Sequence, residues 1–222
     1  MALIMEVIHT VRPATPANFE KYVVRYGEVA VPLMERCGFD LLGGFQWSTG
    51  ERGRDLLLVR FDSLEHYEKA TTQLMRELAD PDTIKGLMDL GLDIEEYVRL
   101  GDTLPYATAE RLARVLDDPP DAPRQYLLAR LKAPLGTLAE ALEAVGQLVD
   151  RVDGQGTELV TAYSARSGAR GEFTDLWVLP ERPLDLSFRT GVQSLPELDR
   201  AFAAVETEFV DYVNPLPYSR LR

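Results

Sequence analysis

The chain repeats itself. Gly50-Glu51-Arg52-Gly53 returns as Gly168-Ala169-Arg170-Gly171, 118 positions further along a chain of 222 residues. A four-letter echo can arise by chance, so the test is whether its surroundings repeat in the same order. They do: Leu41-Leu42 answers to Leu159-Val160 at 118 positions, Asp55-Leu56-Leu57-Leu58 to Asp175-Leu176-Trp177-Val178 at 120, and Leu104-Pro105-Tyr106 to Leu216-Pro217-Tyr218 at 112. We read this as a tandem duplication, with a first unit over residues 1–118 and a second over 123–222, joined by the acidic, proline-rich stretch from Asp117 to Pro123. Two units of roughly 100 residues each lie near the usual domain size.

Periodicity gives each unit the same order of elements. Leu3 to Val11 alternates as a strand. Phe19, Tyr22, Val23, Tyr26, Ala30, Leu33, Met34 and Cys37 then line one face of a helix, capped by Thr15, begun by Pro16 and closed by Gly38. Leu41–Ser48 and Asp55–Phe61 form a hairpin whose turn carries glycines where positive backbone angles are needed. A second helix opens at Asp62-Ser63, and Tyr97–Tyr106 is the closing strand. In the second unit Tyr126–Lys132 is a strand, Thr137 and Glu140 form a capping box for a helix running to Gly154, and Leu159–Leu179 is the hairpin. Ser194 and Glu197 cap a helix carrying Leu195, Leu198, Phe202, Val205 and Phe209, and Val213–Tyr218 closes the unit. Strand, helix, strand, strand, helix, strand is the ferredoxin-like βαββαβ pattern. The expected class is α+β, with two such units packed sheet to sheet as an α/β barrel.

Composition removes several classes of function. An apolar content of 45% with 27% charged residues is ordinary for a globular chain. No apolar run reaches the ~18 residues of a membrane helix, and no targeting segment is evident, so the expected location is cytoplasmic with no membrane partner. A net charge of -12 repels phosphate backbones, which argues against nucleic acid. One cysteine and two histidines leave little for a soft-metal site, and the expectation is no metal and no cofactor.

The run from Leu41-Leu42-Gly43-Gly44-Phe45 through Gly50, followed by Asp55-Leu56-Leu57-Leu58-Val59-Arg60-Phe61-Asp62-Ser63-Leu64, resembles the NIPSNAP family of the dimeric α/β-barrel superfamily. The resemblance covers about half the chain directly, and the repeat extends it weakly to the rest. The arginine usual in the first strand is missing here, and Val59 stands where a tryptophan is common. Membership of that superfamily implies the barrel fold. It is compatible with cofactor-free monooxygenases acting on quinols, with cyclases and with haem-degrading enzymes, and selects none of them.

Aligning the two first strands sets Glu6, Ile8 and Thr10 against Tyr126, Leu128 and Arg130, six residues on the face away from the helices. Half of them are polar or amphipathic, which suggests a lined cavity. Glu6 is the candidate proton-transfer group, with Arg130 and Tyr126 orienting an anionic or enolic substrate; otherwise Glu6 and Arg130 simply pair. Ile8, Thr10, Leu128, Trp47, Trp177 and Arg189 complete the expected substrate contacts, Arg189 lying in an insertion over residues 180–193. His9 is a candidate general base, although its parity with Val7 and Val11 puts it on the helix side as a packed or rim histidine. His66 lies off the apolar stripe of its helix. Asp55 and Asp175 read as turn residues because each begins a strand.

The first functional reading is a cofactor-independent enzyme of small-molecule, biosynthetic metabolism that cyclises, isomerises or moves a proton on an apolar carbonyl compound. One alternative is a non-catalytic binding or protein-interaction module, another a cofactor-free monooxygenase. The expected partner is a small molecule, with homo-oligomerisation open.

Overall fold

A computed structural model describes residues 2–48, 52–117, 124–153, 157–166, 170–179 and 196–221. The chain divides into two units, but not at the linker. Unit 1 comprises Met1–Gly101 with Asn214–Arg222, and unit 2 comprises Asp102–Val213. Each unit therefore includes a segment that belongs, by repeat, to the other half of the sequence.

In unit 1, β1 (Leu3–Arg12) leads into α1 (Pro16–Arg36), the hairpin β2 (Asp40–Trp47) and β3 (Arg54–Phe61), then α2 (Leu64–Leu78), a single turn α3 (Lys85–Met88) and β4 (Asp93–Thr103). The predicted helix starts hold: Thr15 Oγ1 accepts from the Asn18 amide at 3.2 Å, and Ser63 Oγ accepts from the His66 amide at 3.1 Å. β1 pairs antiparallel with β3, placing His9 opposite Asp55, and β3 pairs with β2. Met5 and Val7 of β1 pack with Val31, Leu33 and Met34 of α1. Alternation therefore turns Glu6, Ile8 and Thr10 to the other face, as expected.

Unit 2 repeats the plan with β5 (Gln125–Lys132), α5 (Leu138–Val152), β6 (Glu158–Ala165), β7 (Glu172–Leu179), α6 (Pro196–Ala204) and β8 (Thr207–Pro215). β5 sits between β7 and β8, and β7 pairs with β6. The duplication reaches into irregularities. Register shifts fall between Leu41 and Gly43 in one hairpin and between Leu159 and Thr161 in the other, so Leu42 and Val160 are bulges at matching positions. Gly53 and Gly171 both take positive φ, 75° and 83°, and their carbonyls accept from Val11 and Ala133 at 2.7 and 3.0 Å.

Several expectations need correcting. A helix that hydropathy did not announce, α4 (Ala109–Asp117), follows β4; it buries Leu112 and Val115 and pairs Arg111 with Asp150 and Arg114 with Asp153 of unit 2. The helix expected to reach Phe209 stops at Ala204, and Phe209 lies in β8. Thr137 forms no cap bond to α5; its hydroxyl donates instead to the carbonyls of Pro134 and Ala204 at 3.3 and 3.1 Å. The turn residues Gly50, Glu51, Gly168 and Ala169, the linker over 118–123 and the insertion over 180–193 with Arg182, Phe188 and Arg189 lie outside the described residues. Among those described, no helix is long and apolar enough to cross a membrane.

Candidate functional site

Among the described residues of unit 1, a buried polar cluster lies between β1, β3 and α1, on the helix side of the sheet. His9, opposite Asp55 in the ladder, sets Nδ1 at 3.2 Å from Asp55 Oδ1, while its Nε2 meets Glu96 Oε2 of β4, also at 3.2 Å. Two turns of α1 bring Tyr22 and Tyr26 over the imidazole. The Tyr22 hydroxyl is 2.9 Å from His9 Nδ1 and donates to Asp55 Oδ2 at 3.4 Å. The Tyr26 ring lies 5.0 Å from that of His9, centre to centre. From the C-terminal tail, Tyr218 donates to Asp55 Oδ2 at 3.2 Å.

Burial opposes a charge on His9, but the hydrogen bond and charge of Asp55, joined by those of Glu96, outweigh it and push its pKa from 6.5 up to about 9. At neutral pH His9 is an imidazolium donating from both nitrogens. The same bond holds the Glu96 carboxyl below its usual range. Burial first, and the Asp55 charge second, raise the Tyr22, Tyr26 and Tyr218 phenols well above theirs, so all three stay protonated. His9 and Asp55 are 2% and 0% exposed, whereas the Glu96 side chain is 58% exposed. Glu96 is the open end of an otherwise buried centre.

Unit 2 carries the same frame without its cation. Asp175 is buried, and Tyr106 of the tail donates to its Oδ1 at 3.3 Å. Ala129, opposite Asp175, stands where His9 would be. Gly27 of α1 and Gly146 of α5 each lie against a tail tyrosine, Tyr218 and Tyr106 respectively. Matching them sets Ala141 against Tyr22 and Val145 against Tyr26. With no histidine beside it, Asp175 is pushed by burial up to about 7; the Tyr106 hydrogen bond works against this, and the charge of Glu208 adds to it.

Glu6 is fully buried on the helix-free face of unit 1, with Ile8 beside it and Thr10 half-buried. Tyr126 and Leu128 are buried in unit 2, where burial raises the Tyr126 phenol to about 12. Arg130 reaches Asp211 of its own unit at 3.8 Å. Trp47 stacks under the Arg54 guanidinium, 5.0 Å from its ring centre. Trp177, expected at a pocket wall, packs in the helix-side core with Phe173 and Leu179, because its parity is that of Asp175. Asp55 and Asp175 are not turn residues but buried strand positions. Tyr22, Tyr26 and Glu96 as partners of His9, and Tyr218 as a partner of Asp55, were not singled out in the sequence; the signal for Tyr218 was the repeated Leu-Pro-Tyr. Two open clefts on unit 1, of about 510 Å³ beside Lys21 and Leu90 and about 670 Å³ beside His66, are lined by other residues.

No protein-family profile and no curated protein matches the sequence. Solved structures do match the fold. A putative monooxygenase from Fusobacterium nucleatum superposes with a TM-score of 0.63 at 10% identity, over 96% of this chain and 92% of that one. A putative monooxygenase from Lactobacillus acidophilus gives 0.61 at 11%, over 97% and 94%, and a chlorite dismutase variant from Candidatus Nitrospira defluvii gives 0.57 at 12%, over 99% and 93%. The chain thus has the tandem ferredoxin-like α/β-barrel fold of these proteins. The narrower resemblance to the NIPSNAP family finds no support among them.

Proposed function

We propose that the chain is a cofactor-independent oxygenase of electron-rich phenols or enols, with the His9 cluster of unit 1 as its reactive centre. The observation that carries this reading is the contrast between the units: both keep a buried aspartate and its tail tyrosine, and one alone adds a histidine, two helix tyrosines and an accessible glutamate. A frame needed only for folding would be served by Ala129, as unit 2 is. The names of two fold neighbours, both putative monooxygenases, support the reaction class.

The chemistry follows from the charges. A phenol arriving at Glu96 gives its proton to that carboxylate, a weak base, and the His9 cation behind it lowers the cost of the resulting phenolate. A phenolate can pass an electron to O2, and recombination forms a carbon–oxygen bond. Loss of water leaves a quinone. Phenol and O2 give quinone and one water, the substrate supplies all four electrons, and no external reductant is required.

Haem chemistry, which occurs in this superfamily, would want a histidine free to ligate iron. His9 has both nitrogens engaged, and His66 donates from Nε2 to the Gly38 carbonyl at 2.8 Å while Nδ1 accepts from the Asp62 amide at 3.3 Å. The histidines present do not fit that role. Among the described residues no group of three or more histidine, cysteine, aspartate or glutamate side chains is placed to hold a metal ion.

Oxygen uptake with a panel of electron-rich phenols tests the proposal. The intact protein should consume O2, and His9→Gln should lower kcat by about 10²–10³-fold, the usual worth of a group that stabilises developing negative charge. Absence of uptake across the panel, or an unchanged rate in the variant, would overturn it. The proton-transfer reading keeps one observation in its favour, the complete burial of Glu6. Glu6→Gln should abolish isomerisation on that reading and leave oxygen uptake intact on ours.

A further inference from the structure

The tail after β8 docks on unit 1 through a specific set of contacts. The Leu216 amide donates to the Gly44 carbonyl at 2.8 Å, the Gly44 amide donates to Ser219 Oγ at 3.3 Å, and Ser219 Oγ donates to the Leu221 carbonyl at 2.8 Å. Arg220 pairs with Asp40, and Leu216, Ser219 and Leu221 are buried. Between these anchors the Tyr218 ring enters a slot floored by two glycines. A Cβ on Gly44 would overlap that ring, and one on Gly27 would stand 3.0 Å from it. The slot ends at Asp55, where the hydroxyl makes its 3.2 Å bond.

Unit 2 provides the comparison. Its tail docks by the equivalent bond, Leu104 amide to Ala162 carbonyl at 2.9 Å, and Tyr106 lies against Gly146 and reaches Asp175. The strand position matching Gly44 there is Ala162, which already carries a Cβ. The tighter slot is thus found where the aspartate also holds a histidine.

We propose that Tyr218 is a positioning residue for the His9 centre: the C-terminal tail is a built-in strap whose phenol holds Asp55 Oδ2, 3.4 Å from His9 Nδ1, while Oδ1 makes the shorter 3.2 Å contact that orients the imidazole toward Glu96. This rests on the oxygenase reading for its catalytic consequence, though not for its structural one. Asp55 shares its charge among His9 Nδ1, the Tyr22 hydroxyl and the Tyr218 hydroxyl. Glu96 is the remaining charged group on His9, and Tyr26 contributes its ring. Removing one neutral donor from a carboxylate concentrates its charge on the donors that remain. Without Tyr218 the His9–Asp55 pair should hold its proton more tightly.

The test is an NMR titration of the His9 ring protons in the full chain, for wild type, Tyr218→Phe, Gly44→Ala and the double variant. Tyr218→Phe keeps the ring and removes the hydroxyl, whereas Gly44→Ala keeps the hydroxyl and displaces it from the slot. Both should raise the apparent pKa of His9 by about half a unit or more, in the range that single hydrogen bonds produce. The double variant should show no further rise, because each change breaks the same bond. If turnover is observed, Tyr218→Phe should lower kcat with KM little changed. An unshifted titration in Tyr218→Phe, or shifts that add in the double variant, would overturn the proposal. Because the titration needs no substrate, it stands or falls apart from the oxygenase assay.

Discussion

At the scale of the residue, the two units state one problem with two solutions. A carboxylate buried on a strand requires a counter-charge or a proton. Asp55 has His9 as its cation, while Asp175 takes a proton because Ala129 offers none. The signs of the pH response follow. His9 has a folded pKa above its unfolded one, 9 against 6.5, so its contribution to stability is complete below pH 6.5 and is lost as pH rises through about 9. Asp175 is also raised, to about 7 from 3.8, so the fold favours its protonated form and loses that preference as pH climbs through 7. Asp175→Asn should therefore match wild type in Tm near pH 4 and exceed it above pH 7, as followed by thermal melts across pH. A constant Tm difference across the range would contradict a buried titrating carboxyl. His9 was visible in the sequence as a helix-side residue, but its partners were not: Tyr22, Tyr26 and Glu96 are scattered over 88 positions from His9 to Glu96, and only the folded register brings them together.

At the scale of the element, local rules decided what could be read. Thr15 and Ser63 as caps, Pro16 at a helix start and the glycine hairpins are short-range chemistry, and they stand where expected. Thr15→Ala should cost about 1 kcal/mol by denaturant titration, the ordinary worth of a cap. Gly171→Ala should cost more, since its φ of 83° is strained for any side chain and a Cβ would meet the Ala133 carbonyl; a neutral effect at Gly171 would mean the turn is not held as described. The misread boundaries have a common cause. The apolar residues Val205 and Phe209 fit helical spacing from Leu198, yet Phe209 is fixed opposite Arg130 by pairing between β8 and β5. Strand pairing is non-local and overrode the periodicity. α4 went unseen because its apolar stripe is short, with Leu112 and Val115 buried among salt-bridged arginines.

At the scale of the whole molecule, the duplication made the fold class legible before any coordinates, because each half had to form the same βαββαβ unit. It did not reveal the exchange of tails. Repeat boundaries follow ancestry, whereas unit boundaries follow contacts, so Leu104-Pro105-Tyr106 serves unit 2 and Leu216-Pro217-Tyr218 serves unit 1. The asymmetry on which the proposed function rests is a histidine with its tyrosines in one unit and small apolar residues at the matching positions of the other.

The central claim is that unit 1 alone holds a reactive centre. Single-turnover reaction with ¹⁸O2 and an electron-rich phenol, comparing wild type, Asp55→Asn and Asp175→Asn, tests it most directly. The account predicts one labelled oxygen in the quinone at equal rates for wild type and Asp175→Asn, and a rate at least about 10²-fold lower for Asp55→Asn. Equal rates in Asp55→Asn and wild type, or loss of label incorporation on altering Asp175, would contradict it.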